Sequence, residues 1–308
     1  MYLSIVTTTY NSAKTIQQFL QNSCDITEKL GITDFEVIVV DDGSERQHVK
    51  ETVDVCRQFP NVTLELLTRN FGHHVALLRG LKLSKGDLVF LIDSDLEEDI
   101  CWIENFLGIL NNTDVDVAYG VQQKRRGNFF ERISGSLFYW TMSKLMGVEI
   151  PKNFITARLM RRSYVDNLLS FNEYNVNLSG LMLITGHNQQ AVPLTKHRLH
   201  KGHYTLRRKV DVFIDAVTSF SDIPLRIIFK LGLSVVFLTI IETFVLIFLW
   251  VFQTRTPDGW LSLFLIVQLF GGLILASTGV VGIYLAKVYF EVKRRPRTLH
   301  LPRIDMGE

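Results

Sequence analysis

Three clusters of polar and acidic residues have the types and spacing to handle a phosphorylated ligand. They are Thr8-Thr9-Tyr10-Asn11, Asp41-Asp42-Gly43-Ser44 and the acid run Asp93-Ser94-Asp95-Leu96-Glu97-Glu98-Asp99. Asp93 and Asp95 stand one residue apart, which suits a hard divalent cation that also bridges phosphate oxygens. Neither GxGxxG nor the P-loop pattern GxxxxGKS/T occurs, so no glycine cradle supplies the phosphate contacts. A nucleotide site must then neutralise phosphate by other means, and a carboxylate-held cation does so. The plainer role for Asp-Ser-Asp is to cap a following helix, whose first turn favours acids. The two companion clusters tilt the choice towards the cation. His73-His74 resembles a metal pair, but adjacent helical residues point about 100° apart, so one of them packs or caps instead.

Apolar runs at residues 3–7, 35–40, 62–67, 88–92 and 115–120 read as strands. FEVIVV and LVFLI are continuous rather than alternating, as strands covered on both faces should be. Helical patterns lie between them at about residues 12–30, 49–59, 74–83 and 100–110, the first capped by Asn11 or Ser12. This alternation predicts an α/β fold with a mostly parallel sheet. Ligands of such sheets bind beyond the carboxyl ends of the strands, where all three clusters fall.

Composition narrows the class. Thirty-three basic against thirty-one acidic residues give a net charge of +2, without the global field of a nucleic-acid binder, so no nucleic-acid partner is expected. Cys24, Cys56 and Cys101 are widely spaced and read as core thiols in a reducing compartment. Met1-Tyr2-Leu3-Ser4 has no basic region ahead of an apolar run, so no signal peptide is expected.

Two apolar stretches raise the mean hydropathy to +0.17. Residues 231–252 carry Glu242 as their only charge, and residues 260–290 are uncharged until Lys287. Each exceeds the roughly 20 apolar residues that span a hydrocarbon core of about 30 Å. The short link QTRTPDG predicts a two-helix transmembrane hairpin. Basic residues flank it on the outside (Arg207, Arg208, Lys209, Arg226 and Lys230 before; Lys287, Lys293, Arg294, Arg295 and Arg297 after), which places both termini in the cytoplasm. Glu242 is either a functional acid or the partner of a neighbouring helix. Gly271, Gly272, Gly279 and Gly282 offer small faces for helix packing. Aromatic residues with interspersed Arg132 and Lys144 make residues 128–146 an expected interface helix, with a second at about 210–220. The expected organisation is a catalytic domain at 1–209, a juxtamembrane amphipathic segment at 210–230, membrane helices within 231–290 and a basic tail at 291–308.

SIVTTTYN, EVIVVDDGS, RNFGHHVALLRGL and GDLVFLIDSDLEED resemble, in order and spacing, family 2 glycosyltransferases with the GT-A fold. The likeness continues through YGVQQKRRGNFFERISGSLFYWTMSKLMGVEIPKN and DAVTSFSDIPLR to the C-terminal helices. It is nearest to the membrane-bound polyisoprenyl-phosphate glycosyltransferases, the group of dolichol-phosphate mannose synthase and the bactoprenol glucosyltransferases. The resemblance implies a nucleotide sugar donor, a polyisoprenyl phosphate acceptor, inverting transfer, Mg²⁺ or Mn²⁺, an inner-membrane location and a homo-oligomer such as a tetramer. It also implies that Thr8, Tyr10, Asn11, Asp41 and Asp42 line the nucleotide pocket and that Asp93 and Ser94 contact the nucleotide. Asp95 is then the main metal ligand, with Asp93 beside it and Glu97 where many relatives carry Gln. Arg125, Arg126, Arg198 and Lys201 are candidates for phosphate or acceptor contact.

The string PKNFITARLM departs from the family's usual P.N.GDFRLM, placing Thr156 where relatives carry an Asp proposed as catalytic base. Threonine is no base near neutral pH. A sugar hydroxyl needs its proton removed as it attacks, whereas a phosphate monoester, with a second pKa near 6, arrives largely as a dianion. The substitution therefore favours a lipid phosphate over a glycan hydroxyl, with Arg158 expected as a fixed charge near the phosphates. Two rivals stand beside this reading: a membrane-anchored enzyme elongating a glycan, and an inert interaction protein, which would not need Asp41, Asp93 and Asp95.

Overall fold

The computed structural model describes residues 1–122, 154–171, 173, 178–195, 223–252 and 259–301. The continuous apolar runs form buried strands: β1 (Leu3–Thr9), β2 (Phe35–Asp41), β3 (Val62–Leu66) and β4 (Leu88–Leu91). Between them lie α1 (Ala13–Lys29), α2 (Arg46–Cys56) and α3 (His73–Leu83), followed by α4 (Trp102–Asn112) and β5 (Val117–Gln122). In α1 the residues Ile16, Phe19, Leu20, Ser23 and Ile26 recur at helical spacing and are buried, while the opposite face is polar. Phe106 of α4 meets Phe90 of β4 edge to face at 6.0 Å. Burial of each such side chain contributes about 1.5–3 kcal/mol.

Beyond this lie β6 (Phe154–Arg161), α5 (Arg162–Ser170), α6 (Leu178–Ile184) and β7 (Gln189–Leu194). The sheet order is β3-β2-β1-β4-β6-β5-β7. All neighbours from β3 to β4 are parallel, β6 runs antiparallel to both β4 and β5, and β7 is parallel to β5. This is the mostly parallel α/β sheet expected, with one reversed strand inserted. The chain moves from β1 outward to β3 and then returns to the other side of β1 for β4. The β1/β4 boundary is thus a topological switch point, where a crevice opens beyond the carboxyl ends.

The reversal of β6 brings its first residues to that same edge. Leu88 pairs with Arg161 and Leu91 with Arg158, and continuing this register sets Thr156 beside Asp93.

Capping does not account for Asp-Ser-Asp. The helix after β4 begins only at Trp102, its N-cap is Cys101, and the Cys101 amide donates to Asp99 Oδ1 at 2.9 Å. Nor does Asn11 cap α1. Ser12 holds that position without a side-chain cap bond.

The chain divides into two compact units, one comprising Met1–Leu206 with Arg295–Glu308 and the other Arg207–Arg294. The second unit contains two long helices, α7 (Ile223–Phe252) and α8 (Trp260–Val292). Among the described residues, Leu269–Val292 is the one stretch long and apolar enough to cross a membrane. The expected interface helix at 128–146, the segment at 210–220 and the link at 253–258 lie outside the described residues.

Candidate functional site

The three clusters converge at the switch point. Asp41 ends β2 with 1% of its surface exposed; its Oδ1 accepts the Ser44 amide at 2.8 Å, and its Oδ2 is buried without a hydrogen-bond partner. Burial pushes the Asp41 carboxyl above its ordinary range, against the opposing pull of the Ser44 and Gly43 bonds. Across β1, Asp93 repeats the pattern. Its Oδ1 is buried without a hydrogen-bond partner and lies 3.4 Å from His73 Nε2. Asp93 Oδ1 has the His73 ring beside it, whereas Asp41 Oδ2 is an orphaned acceptor, and an unsatisfied buried group costs about 1–3 kcal/mol.

The neighbouring residues hold this edge rigid. Ser94 Oγ donates to the Thr8 carbonyl at 2.7 Å, tying β4 to β1. Thr8 Oγ1 is hydrogen-bonded to His73 Nδ1 at 3.1 Å. Asn11 has a φ of 51°; its amide donates to Ser44 Oγ at 2.8 Å, and its Oδ1 accepts the Glu45 amide at 2.9 Å. The Asn11 side chain therefore fixes the start of α2 rather than α1. Tyr10 stands 50% exposed at the rim. Gly43 has a φ of 73°, and a Cβ there would collide with the backbone of Arg69 and Asn70. Asp42, expected to face the nucleotide, grips that same turn: Oδ1 accepts the Phe71 amide at 2.7 Å and Oδ2 the Gly72 amide at 3.0 Å.

Asp95 is exposed at the mouth, and its Oδ1 accepts the Glu97 amide at 2.9 Å. Leu96 between them has a φ of 62°, an uncommon backbone for a bulky residue that turns the acid run back on itself. Among the described residues no group of three or more His, Cys, Asp or Glu forms a metal cage. The donor set instead suits a cation held by one or two carboxylates and completed by substrate phosphates. Asp93, whose side chain is 19% exposed, and the exposed Asp95 offer hard carboxylate oxygens of that kind.

Arg158 lies deeper than expected. It is 5% exposed, donating from Nε to the Thr156 carbonyl and from Nη2 to the Ile155 carbonyl, both at 3.2 Å. Burial lowers its pKa, while Tyr164, Glu98 and Tyr119 favour its charge. Two residues were not legible as site elements: Glu98, buried beneath the acid run, and His73, which links Thr8 to Asp93. Position after Gly72 at the start of a helix aimed at the strand ends is the signal that could have found His73. Glu98 was hidden inside a run of acids. Arg125, Arg126, Arg198 and Lys201 lie outside the described residues.

Residues 4–169 match the model of glycosyl transferase family 2. A protein described as putative glycosyltransferases in Mycobacterium tuberculosis (strain CDC 1551 / Oshkosh) is 38% identical over 301 residues, covering 97% of this chain and 87% of its own. An undecaprenyl-phosphate 4-deoxy-4-formamido-L-arabinose transferase of Pseudomonas fluorescens (strain SBW25) is 26% identical, covering 96% and 87%. Among solved structures, the mannosyltransferase PcManGT of Pyrobaculum calidifontis in complex with GDP-Man and Mn²⁺ matches with a TM-score of 0.48 and 18% identity, over 70% of this chain and 62% of that one.

Proposed function

The chain belongs to glycosyl transferase family 2, and from that membership we propose that it transfers a sugar from a nucleotide diphosphate sugar, a UDP-sugar by preference, to a polyisoprenyl phosphate such as undecaprenyl phosphate. The observation that carries the donor half is the convergence of the Asp41 and Asp93 carboxylates, either side of β1 at the switch point, each with one buried oxygen outside the hydrogen-bond network. In this reading Asp41 serves the base or ribose, with the half-exposed Tyr10 as the stacking face. Bound there, Mg²⁺ or Mn²⁺ at Asp93 and Asp95, with Glu97 alongside, would neutralise the departing diphosphate as a Lewis acid. Without a countercharge this acid-rich mouth would repel a diphosphate.

Thr156 supports the acceptor half. No base stands in its place, and the nearby Glu98 turns both oxygens inward, onto the amides of Asp93 at 3.3 Å and Thr156 at 3.2 Å. An acceptor that already carries negative charge fits such a site. Its phosphate oxygen attacks the anomeric carbon, the bond to the diphosphate oxygen breaks, and the nucleoside diphosphate leaves with inversion. The undecaprenyl-phosphate transferase relative agrees with this acceptor class. Arg125, Arg126, Arg198 and Lys201 remain our candidates for its phosphate.

Topology follows a parity argument. The catalytic unit includes residues on both sides of the α7–α8 excursion. If α8 crosses the bilayer, the chain must cross an even number of times to return, which makes α7 the second span and leaves both termini on one side, which the basic flanks make the cytoplasmic one. Incubating the purified protein with a panel of nucleotide sugars and undecaprenyl phosphate tests the function. We expect lipid-linked product from one donor; donor hydrolysis or glycan elongation without lipid product would refute it.

A further inference from the structure

After α8 the chain does not trail away. The Thr68 amide donates to the Leu299 carbonyl at 3.0 Å, and the Leu301 amide donates to the Leu66 carbonyl at 2.9 Å, so His300 bridges antiparallel to Leu67 at the open edge of β3. Arg297 Nη2 donates to the Phe171 carbonyl at 3.4 Å. His300 Nδ1 lies 3.9 Å from Glu65 Oε1, a buried carboxylate that also receives Arg79 Nε at 2.8 Å. An added strand segment supplies main-chain bonds that an edge otherwise lacks.

The residues it holds lead directly to the donor pocket. The turn after β3 carries Thr68, bonded to the strap, then Arg69 and Asn70, which pack on Gly43. Phe71 and Gly72 follow, gripped by Asp42, and then His73, which touches Thr8 and Asp93. Strap, turn and pocket wall form one continuous chain of contacts.

We propose that residues 297–301 are a positioning strap for the donor site, fixing the 67–73 turn so that nucleotide binding depends on the segment that leaves the last apolar helix. This rests on the donor reading above. The strap contributes no group to the reaction, so its loss weakens nucleotide binding about tenfold, a change equal to 1.4 kcal/mol, and leaves turnover at saturating donor within about twofold.

The test uses the full chain in phosphatidylethanolamine/phosphatidylglycerol nanodiscs, with Leu301→Pro, which removes one bridging amide, and a chain ending at Thr298. Amide exchange at 67–75 should accelerate in both variants while residues 3–9 and 88–91 stay slow, which also shows that the sheet is folded. UDP affinity with Mn²⁺, measured by calorimetry, should fall about tenfold, with the acceptor KM unchanged. Unchanged exchange at 67–75, or undiminished UDP affinity, overturns the strap. A wild-type protein that binds neither UDP nor GDP, with exchange rising as expected in the variants, counts against the donor reading and leaves the strap's hold on the turn intact.

Discussion

Glu98 Oε1 accepts the backbone amide of Thr156 at 3.2 Å, joining the acid run after β4 to the start of the reversed strand β6. The same carboxylate accepts the Asp93 amide at 3.3 Å, so one buried residue sets the spacing between Asp93 and Thr156.

That relationship separates two substitutions. Thr156→Ala keeps the backbone amide and should retain activity within about tenfold, or 1.4 kcal/mol. Glu98→Ala strands the amides of Asp93 and Thr156, which should lower stability by about 1–3 kcal/mol for each amide left buried without a partner. Arg158→Ala should damage the fold in the same way. Thermal unfolding and steady-state rates check both. A folded, donor-binding Thr156→Ala protein slowed about a thousandfold would mean that this position is misassigned.

Asp41 predicts a pH signature. Its carboxyl is raised in the folded state by burial, so its contribution to stability is fully present below the unfolded pKa near 4 and is lost as pH rises through the folded value. At neutral pH the ionised side chain opposes folding. Asp41→Asn should therefore unfold at a higher temperature than wild type at pH 7, with the gap closing towards pH 4, while nucleotide binding is lost. A lower melting temperature at pH 7 would contradict the sign.

The strands and helices around the first two clusters were legible because their apolar runs are long and bounded by turn formers. The insertion of β6 was not: FITARLM alternates poorly, and Arg158 in its middle is polar yet buried at 5% exposure. The position of Arg158 comes from sheet order, since it faces Tyr119 and Leu91 across two ladders, and no local pattern encodes that. The Asp41-Asp42 string suggests a ligand-facing pair, but alternation along a strand end sends neighbours opposite ways, and Asp42 serves the turn at Phe71. The return of residues 299–301 to β3 is a contact distant in sequence, carried by backbone atoms that side-chain patterns do not reveal.

Metal dependence gives a further prediction. Asp95 is exposed and contributes little to the core, so Asp95→Ala should leave the melting temperature nearly unchanged while removing most turnover. Loss of a diphosphate-bound cation costs several kcal/mol of transition-state stabilisation, and each 1.36 kcal/mol is about tenfold in rate. EDTA should abolish activity, and added Mg²⁺ or Mn²⁺ should restore it. Full activity in EDTA would discard the cation.

Topology can be checked by labelling. In a background with Cys24, Cys56 and Cys101 replaced, a Pro257→Cys reporter in the link should react with an impermeant maleimide only from the side opposite a reporter at Glu308. Reaction of both from one side would refute two crossings.

The most direct measurement compares acceptors. With its preferred nucleotide sugar, the purified enzyme should convert undecaprenyl phosphate to a product heavier by one glycosyl residue, detected by mass spectrometry, and should leave undecaprenol and oligosaccharides unglycosylated. Transfer to undecaprenol or to an oligosaccharide hydroxyl, with undecaprenyl phosphate inert, would contradict the assignment of a lipid phosphate acceptor.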